Sequence, residues 1–158
     1  MGFFGLPENR KPDFCIGSDD VDIDPFTDKY YFTDGGYPVS DGVSLAVLDG
    51  FNRRILVWKN IPDESGAQPD IIYEFNVPGA DFEPLCADIY QGKFYVIGRG
   101  GAGGGFAVWN TFPKGEMPQI VVQRELGGVD IREGNGIAVD DKYLSITAGG
   151  ELYVWKQL

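Results

Sequence analysis

Short apolar stretches, broken by clusters of Gly, Pro, Asp and Asn, run along almost the whole chain. Val, Ile, Tyr, Phe and Trp crowd these stretches, the composition of strands rather than helices. In order they are "YPVS", "SLAVLD", "RILVWK" and "DIIYEF"; then "LCADIY", "KFYVIG", "FAVWN" and "QIVVQRE"; then "GIAVD", "YLSIT" and "ELYVW". Turn signals part them: "SDG" at Ser40 to Gly42, "YQGK" at Tyr90 to Lys93, and "AGG" at Ala148 to Gly150. No segment holds a sustained helical period. The pattern predicts an all-β chain.

The third strand of each group is nearly the same. Val57-Trp58, Val108-Trp109 and Val154-Trp155 sit in "ILVWKNIP", "FAVWNTFP" and "LYVWKQL". Pro62 and Pro113 follow the first two at equal distance. A second proline, Pro69 or Pro118, then opens the next apolar strand. The N-terminus fits the same frame: Leu6-Pro7 matches Ile61-Pro62 and Phe112-Pro113, and Pro12 opens "PDFCIG". Cut at these prolines, the chain reads as repeats 7–61, 62–112 and 113–158 in one domain. Four strands in about 50 residues is the unit of a β-propeller blade.

"LAVLDGFNRRILVWKNIPDESGAQPDII" resembles the NHL-type propeller repeat, with Asp49, Asn52 and Arg54 at its hairpin. The second and third repeats carry "IGRGGAGGGF" and "ITAGGEL" in that place. The resemblance implies three blades, with the hairpin triad as a structural device; Trp58, Trp109 and Trp155 could suggest sugar stacking, but their repetition at one blade position argues for packing between blades.

Propellers typically need about four blades or more to close. The N-terminal strand near 13–18, "DFCIGS", is of the fourth, outer kind, and the blade formed by 136–157 holds only three strands. Reciprocal exchange between two copies predicts a homodimer closing as a six-bladed ring; the alternative is that the 158 residues are a fragment of a longer propeller.

Asp and Glu number 24 against 13 Lys and Arg, a net charge of −11. That balance disfavours nucleic acid and anionic membrane surfaces as partners. Cys15 and Cys86 lie in apolar stretches and are expected as free thiols. The chain has no histidine, hence no Ser-His-Asp or Cys-His site. No apolar run is long enough for a membrane helix and "MGFFGLPENRK" lacks the features of a signal peptide, so the expected compartment is the cytoplasm.

Aligning the repeats on "SLAVL", "FYVIG" and "YLSIT" brings Asp34, Glu83 and Glu133 to one place before the first hairpin of each blade. Converging carboxylates suit a hard cation such as Ca²⁺ or a cationic ligand. The resemblance also implies that some related propellers, such as gluconolactonase-type lactone hydrolases, hold a divalent metal near such a place, with asparagines and an aspartate that have no match here; only Asn135 is nearby. Asp20, Asp22 and Asp24 mimic the start of a calcium loop, but Pro25 and Tyr31 stand where Gly and Glu are needed. "GRGGAGGG", Gly98 to Gly105, has no Lys-Ser/Thr and no helix to make a phosphate cradle; it reads as a flexible hairpin tip, and only if such tips crowd the channel mouth would Arg99 touch an anionic ligand. The expected function is a non-catalytic scaffold, without a required cofactor, that binds a protein or small ligand at the ring mouth. The alternative is a metal-dependent hydrolase or lyase using the acidic mouth.

Overall fold

The computed structural model describes residues 15–16, 32, 36–100 and 104–156. The chain divides into two compact units, Met1–Tyr31 with Pro62–Gln68, and Phe32–Ile61 with Pro69–Leu158. In the first unit, the Cys15 N–H donates to Ser65 Oγ (3.1 Å) and its carbonyl accepts from the Gly66 N–H (3.1 Å). Of the strand expected near 13–18, only Cys15 and Ile16 are among the described residues, and neither is in a strand.

The second unit is all-β and antiparallel. Its first sheet is a meander of β1 (Tyr37–Ser40), β2 (Leu45–Asp49), β3 (Arg54–Trp58) and β4 (Ile71–Glu74). A short hairpin of β5 (Asn76–Val77) and β6 (Ala80–Asp81) leads to a second meander: β7 (Glu83–Tyr90), β8 (Lys93–Arg99), β9 (Gly105–Trp109) and β10 (Ile120–Gln123). Another short hairpin, β11 (Glu125–Leu126) and β12 (Val129–Asp130), leads to a third sheet of β13 (Gly134–Val139), β14 (Tyr143–Ala148) and β15 (Glu151–Lys156). Among the described residues there is no helix, none long and apolar enough to cross a membrane, and the sheets close neither a barrel nor a ring.

The tryptophans set a common frame. Trp58 lies opposite Leu45, Trp109 opposite Phe94, and Trp155 opposite Leu144. This differs by one position from the string alignment, which places Ser44, Phe94 and Tyr143 together. Side chains alternate faces with a period of two, so the cross-strand partner decides the frame. Both β7 and β13 carry a register shift at the same place, between Pro84 and Cys86 and between Gly134 and Gly136.

Alternation along each strand sorts the core into two layers. Ile55 and Val57 of the first sheet meet Ala107 and Trp109 of the second. Phe106 and Val108, on the second sheet's other face, meet Ile146, Tyr153 and Trp155 of the third. Trp109 is fully buried and makes edge contacts with Tyr73 (5.5 Å), Phe94 (5.7 Å) and Phe75 (6.3 Å). Truncating such a ring to alanine costs about 3–5 kcal/mol. Trp109 and Trp155 thus each face the sheet before their own. Trp58 and Leu56 point away from the second sheet and are buried as well.

The two short hairpins do one job. After β6 the chain places Phe82, and after β12 Ile131, each wholly buried in one of the two core layers. Each is held by a backbone bond across its hairpin, Phe82 N–H to the Phe75 carbonyl (3.0 Å) and Ile131 N–H to the Arg124 carbonyl (2.8 Å).

Candidate functional site

A cleft of about 340 Å³ opens where the first and second sheets meet at the Glu83 end of β7. Tyr37 and Pro38 of β1 form one wall and Pro84 and Leu85 of β7 another. Phe51, on the β2–β3 hairpin, stands at the rim with 65% of its surface exposed. Glu83 and Arg99 also line it.

The β2–β3 hairpin that carries Phe51 is braced from below. Asp49 is wholly buried, and both its carboxylate oxygens accept from Asn52 Nδ2 (3.1 and 2.9 Å) while Oδ2 also accepts from Arg54 Nε (2.8 Å). Arg53, at a left-handed φ of 51°, sends Nη1 to Asp81 Oδ1 (2.6 Å). Close approach also matters: a Cβ on Gly50 would lie 2.9 Å from the Pro84 carbonyl and 2.8 Å from Leu85.

Glu83 and Arg99 are cross-strand partners on β7 and β8. Arg99 Nε reaches Glu83 Oε2 at 3.5 Å, a long and weak bond. No other hydrogen bond from its guanidinium occurs among the described residues, and its side chain is 54% exposed. Arg99 also forms an isolated antiparallel bridge with Glu133, just before β13, and the Gly100 N–H donates to the Arg132 carbonyl (3.3 Å). The fold therefore brings Glu83 and Glu133 to either side of one arginine. A second guanidinium lies beside them, with Arg132 Nε on Asp130 Oδ1 (2.9 Å) and Oδ2 (2.8 Å). The Arg132 hydrogen bonds hold the Asp130 carboxyl down at about 2. The edge is thus of mixed charge, with cations set between the acids.

Asp34 lies outside the described residues, as do Asp20, Asp22 and Asp24. Asn135, in the shifted part of β13, is exposed, and its Oδ1 accepts from Thr147 Oγ1 (2.6 Å). Among the described residues no three His, Cys, Asp or Glu side chains stand close enough to hold a metal ion.

The glycine tract is shaped by packing. A Cβ on Gly105 would lie 2.1 Å from the Phe82 ring, and one on Gly98 would lie 2.0 Å from the Glu83 carbonyl. Gly104 combines a φ of 76° with an approach to the Ile131 carbonyl that would leave a Cβ 2.4 Å away. The tract's tip, 101–103, is outside the described residues.

Tyr37 of β1 forms a group with Cys86 and Asp88 of β7 that no sequence motif announces, because the two strands are far apart in the chain. The hydrogen bond with Cys86 pushes the Tyr37 phenol up, with the Cys86 charge, burial and the Asp88 charge adding to it. Burial, then Tyr90 and Asp88, raises Tyr95. Asp88 Oδ2 accepts the Val139 N–H (2.7 Å), tying the second sheet to the third. Both cysteines are half-buried.

Compared with known proteins, the chain matches no family model, no curated protein and no solved structure.

Proposed function

We propose that the chain is the three-bladed half of a β-propeller and works as a non-catalytic scaffold, binding a carboxylate-bearing ligand, small molecule or protein, in the cleft beside Arg99. The observation that carries the binding reading is that guanidinium: more than half exposed, held among the described residues by one long bond, and lining a cleft with an exposed aromatic ring at its rim. A guanidinium grips a carboxylate through paired N–H donors, and an apolar body would lie on Phe51 and Leu85. The propeller reading is supported by three stacked meanders in one frame and by two tryptophans that each face the preceding sheet. The chain has no histidine to act as general base, which supports a binding role.

Phenylacetate is a suitable probe, having one carboxylate and one ring. Titration calorimetry is expected to show binding to the native protein and a loss of about tenfold or more in Arg99→Met, the size of a charge-assisted hydrogen bond. Absence of binding, or equal binding to Arg99→Met, would overturn the Arg99 site. A melting temperature raised by Ca²⁺ and no longer raised in Glu83→Gln would favour the metal-dependent hydrolase instead.

A further inference from the structure

The outer strands of the first two sheets begin in the same way. Asp70 donates its N–H to the Val57 carbonyl (2.8 Å), and its Oδ2 accepts the Lys59 N–H (2.8 Å). Gln119 donates its N–H to the Val108 carbonyl (2.8 Å), and its Oε1 accepts the Asn110 N–H (2.7 Å). In each case a proline precedes, Pro69 or Pro118, and an isoleucine follows opposite the valine of the Val-Trp pair: Ile71 to Val57, Ile120 to Val108. The side-chain oxygen thus caps the N–H just beyond the tryptophan and sets the register of the incoming strand.

In the third sheet the same edge stands open. β15 pairs with β14 alone among the described residues, and Trp155 keeps the common frame opposite Leu144. By that frame Val154 and Lys156 correspond to Val57 and Lys59. Leu152 and Val154, on the same strand, are 64% and 54% exposed, whereas Val57 is wholly buried against the second sheet; among the described residues no further sheet covers this face of the third. An open edge with apolar side chains invites another strand.

The chain holds one more copy of the outer-strand sequence. Pro12-Asp13-Phe14-Cys15-Ile16 matches Pro69-Asp70-Ile71-Ile72-Tyr73 residue for residue in kind, an acceptor after proline and then an apolar run. Its Cys15 lies in no sheet and rests on Ser65 and Gly66.

We propose that residues 12–16 of a second copy of this chain pair with β15. In that arrangement Asp13 accepts the Lys156 N–H and donates its own to the Val154 carbonyl, and Phe14 lies opposite Val154. The Cys15 bonds to Ser65 and Gly66 give way to the sheet. The exchange is reciprocal, so two copies form a two-fold dimer with identical seams. A second copy is favoured over the chain's own strand because the three sheets close no ring by themselves, whereas the sheets of two copies would number six, within the usual range of about four to eight. The inference rests on the propeller-half reading.

The test uses two variants of the full chain in a Cys15→Ser, Cys86→Ser background, one with Phe14→Cys and one with Val154→Cys. They are co-refolded, oxidised and run on a non-reducing gel beside light scattering of the native protein. Cross-strand neighbours lie within disulfide reach. The expected result is a native mass near twice 17.4 kDa and a covalent dimer formed only when both variants are present. A third variant carries both cysteines in one chain; if it cross-links as a monomer, the strand is supplied in cis and the proposal is overturned. A dimeric native mass without the cross-link overturns the seam and leaves the propeller half standing. A monomeric native mass, with no cross-link, overturns both.

Discussion

Asp49 has no solvent exposure, yet three hydrogen bonds from Asn52 and Arg54 meet its two oxygens. A carboxylate so placed is stable only because its partners are fixed, and the partners are fixed by a tight hairpin. Asp49→Ala leaves Arg54 facing the gap with 17% of its side chain exposed. The expected cost is about 3 kcal/mol, read as a lower urea midpoint at unchanged slope. A midpoint within about 0.5 kcal/mol of native would mean that the triad does not brace the hairpin. Tyr73 acts in the opposite charge sense. Burial raises its phenol above the usual 10.0, the Glu116 charge adds to this, and the Gly115 N–H donated to its oxygen partly offsets it. Because the folded value is the higher one, its contribution is intact below pH 10 and is lost as pH rises through the folded value. Tyr73→Phe is therefore expected to lose stability less steeply than native protein between about pH 9.5 and 11 in urea titrations; equal slopes would remove Tyr73 from the alkaline transition.

Among the elements, the Phe82 ring and the two glycines beside it show why a sheet-forming chain spends residues on glycine. Gly98 and Gly105 are cross-strand partners on β8 and β9, and the Phe82 ring occupies the space where their side chains would be. Gly105→Ala is expected to cost about 2–3 kcal/mol by overpacking. In a Phe82→Leu background, where the ring is gone, the same change should cost less than half as much; the coupling is read from a double-mutant cycle of denaturation midpoints. Equal costs in both backgrounds would place the strain elsewhere. The long strands were legible from sequence because Val-Trp and the alternating residues mark them: "RILVWK" becomes β3 at Arg54–Trp58, and "YLSIT" lies within β14 at Tyr143–Ala148. The hairpins β5–β6 and β11–β12 were not, since strands two residues long have no period to read. "PGADF" and "GGVDI" do carry a turn followed by an apolar residue, which is the signal for Phe82 and Ile131 once the repeat frame is known. The pairing of Glu83 with Arg99 was equally hidden. It follows from the β7–β8 register, and a shift in β7 at Pro84–Cys86 makes that register unreadable from spacing alone.

At the scale of the whole molecule, charge and the absence of one residue type set the response to pH. The net charge of −11 comes without any histidine. Histidine is the only side chain whose ordinary value falls near neutrality. Between about pH 5 and 7 the charge is therefore nearly constant, and stability should be flat there. Below that window two effects oppose. Protonating carboxylates relieves self-repulsion. It also removes acceptors that the fold uses: Asp140 is lowered by N–H donation from Lys142 and Tyr143, and Asp130 by Arg132 to about 2. For Asp41 burial works upward, but the Ser44 and Val43 N–H groups win and lower it; Glu116 follows the same balance through its own N–H, Thr111 and Lys114. These groups have folded values below their ordinary 3.8 or 4.5, so their contribution is complete above the ordinary values and fades as pH falls toward the folded ones. Salt separates the two effects. Raising NaCl from about 0.05 to 0.5 M screens surface repulsion and should raise the melting temperature at pH 7 by a few degrees. The same salt should matter much less near pH 4, where much of the charge is gone. Urea midpoints across about pH 3–8 at both salt levels test this. A marked slope between pH 5.5 and 6.5, or a salt effect as large at pH 4 as at pH 7, would show that carboxylate repulsion is not what limits this protein's stability near neutrality.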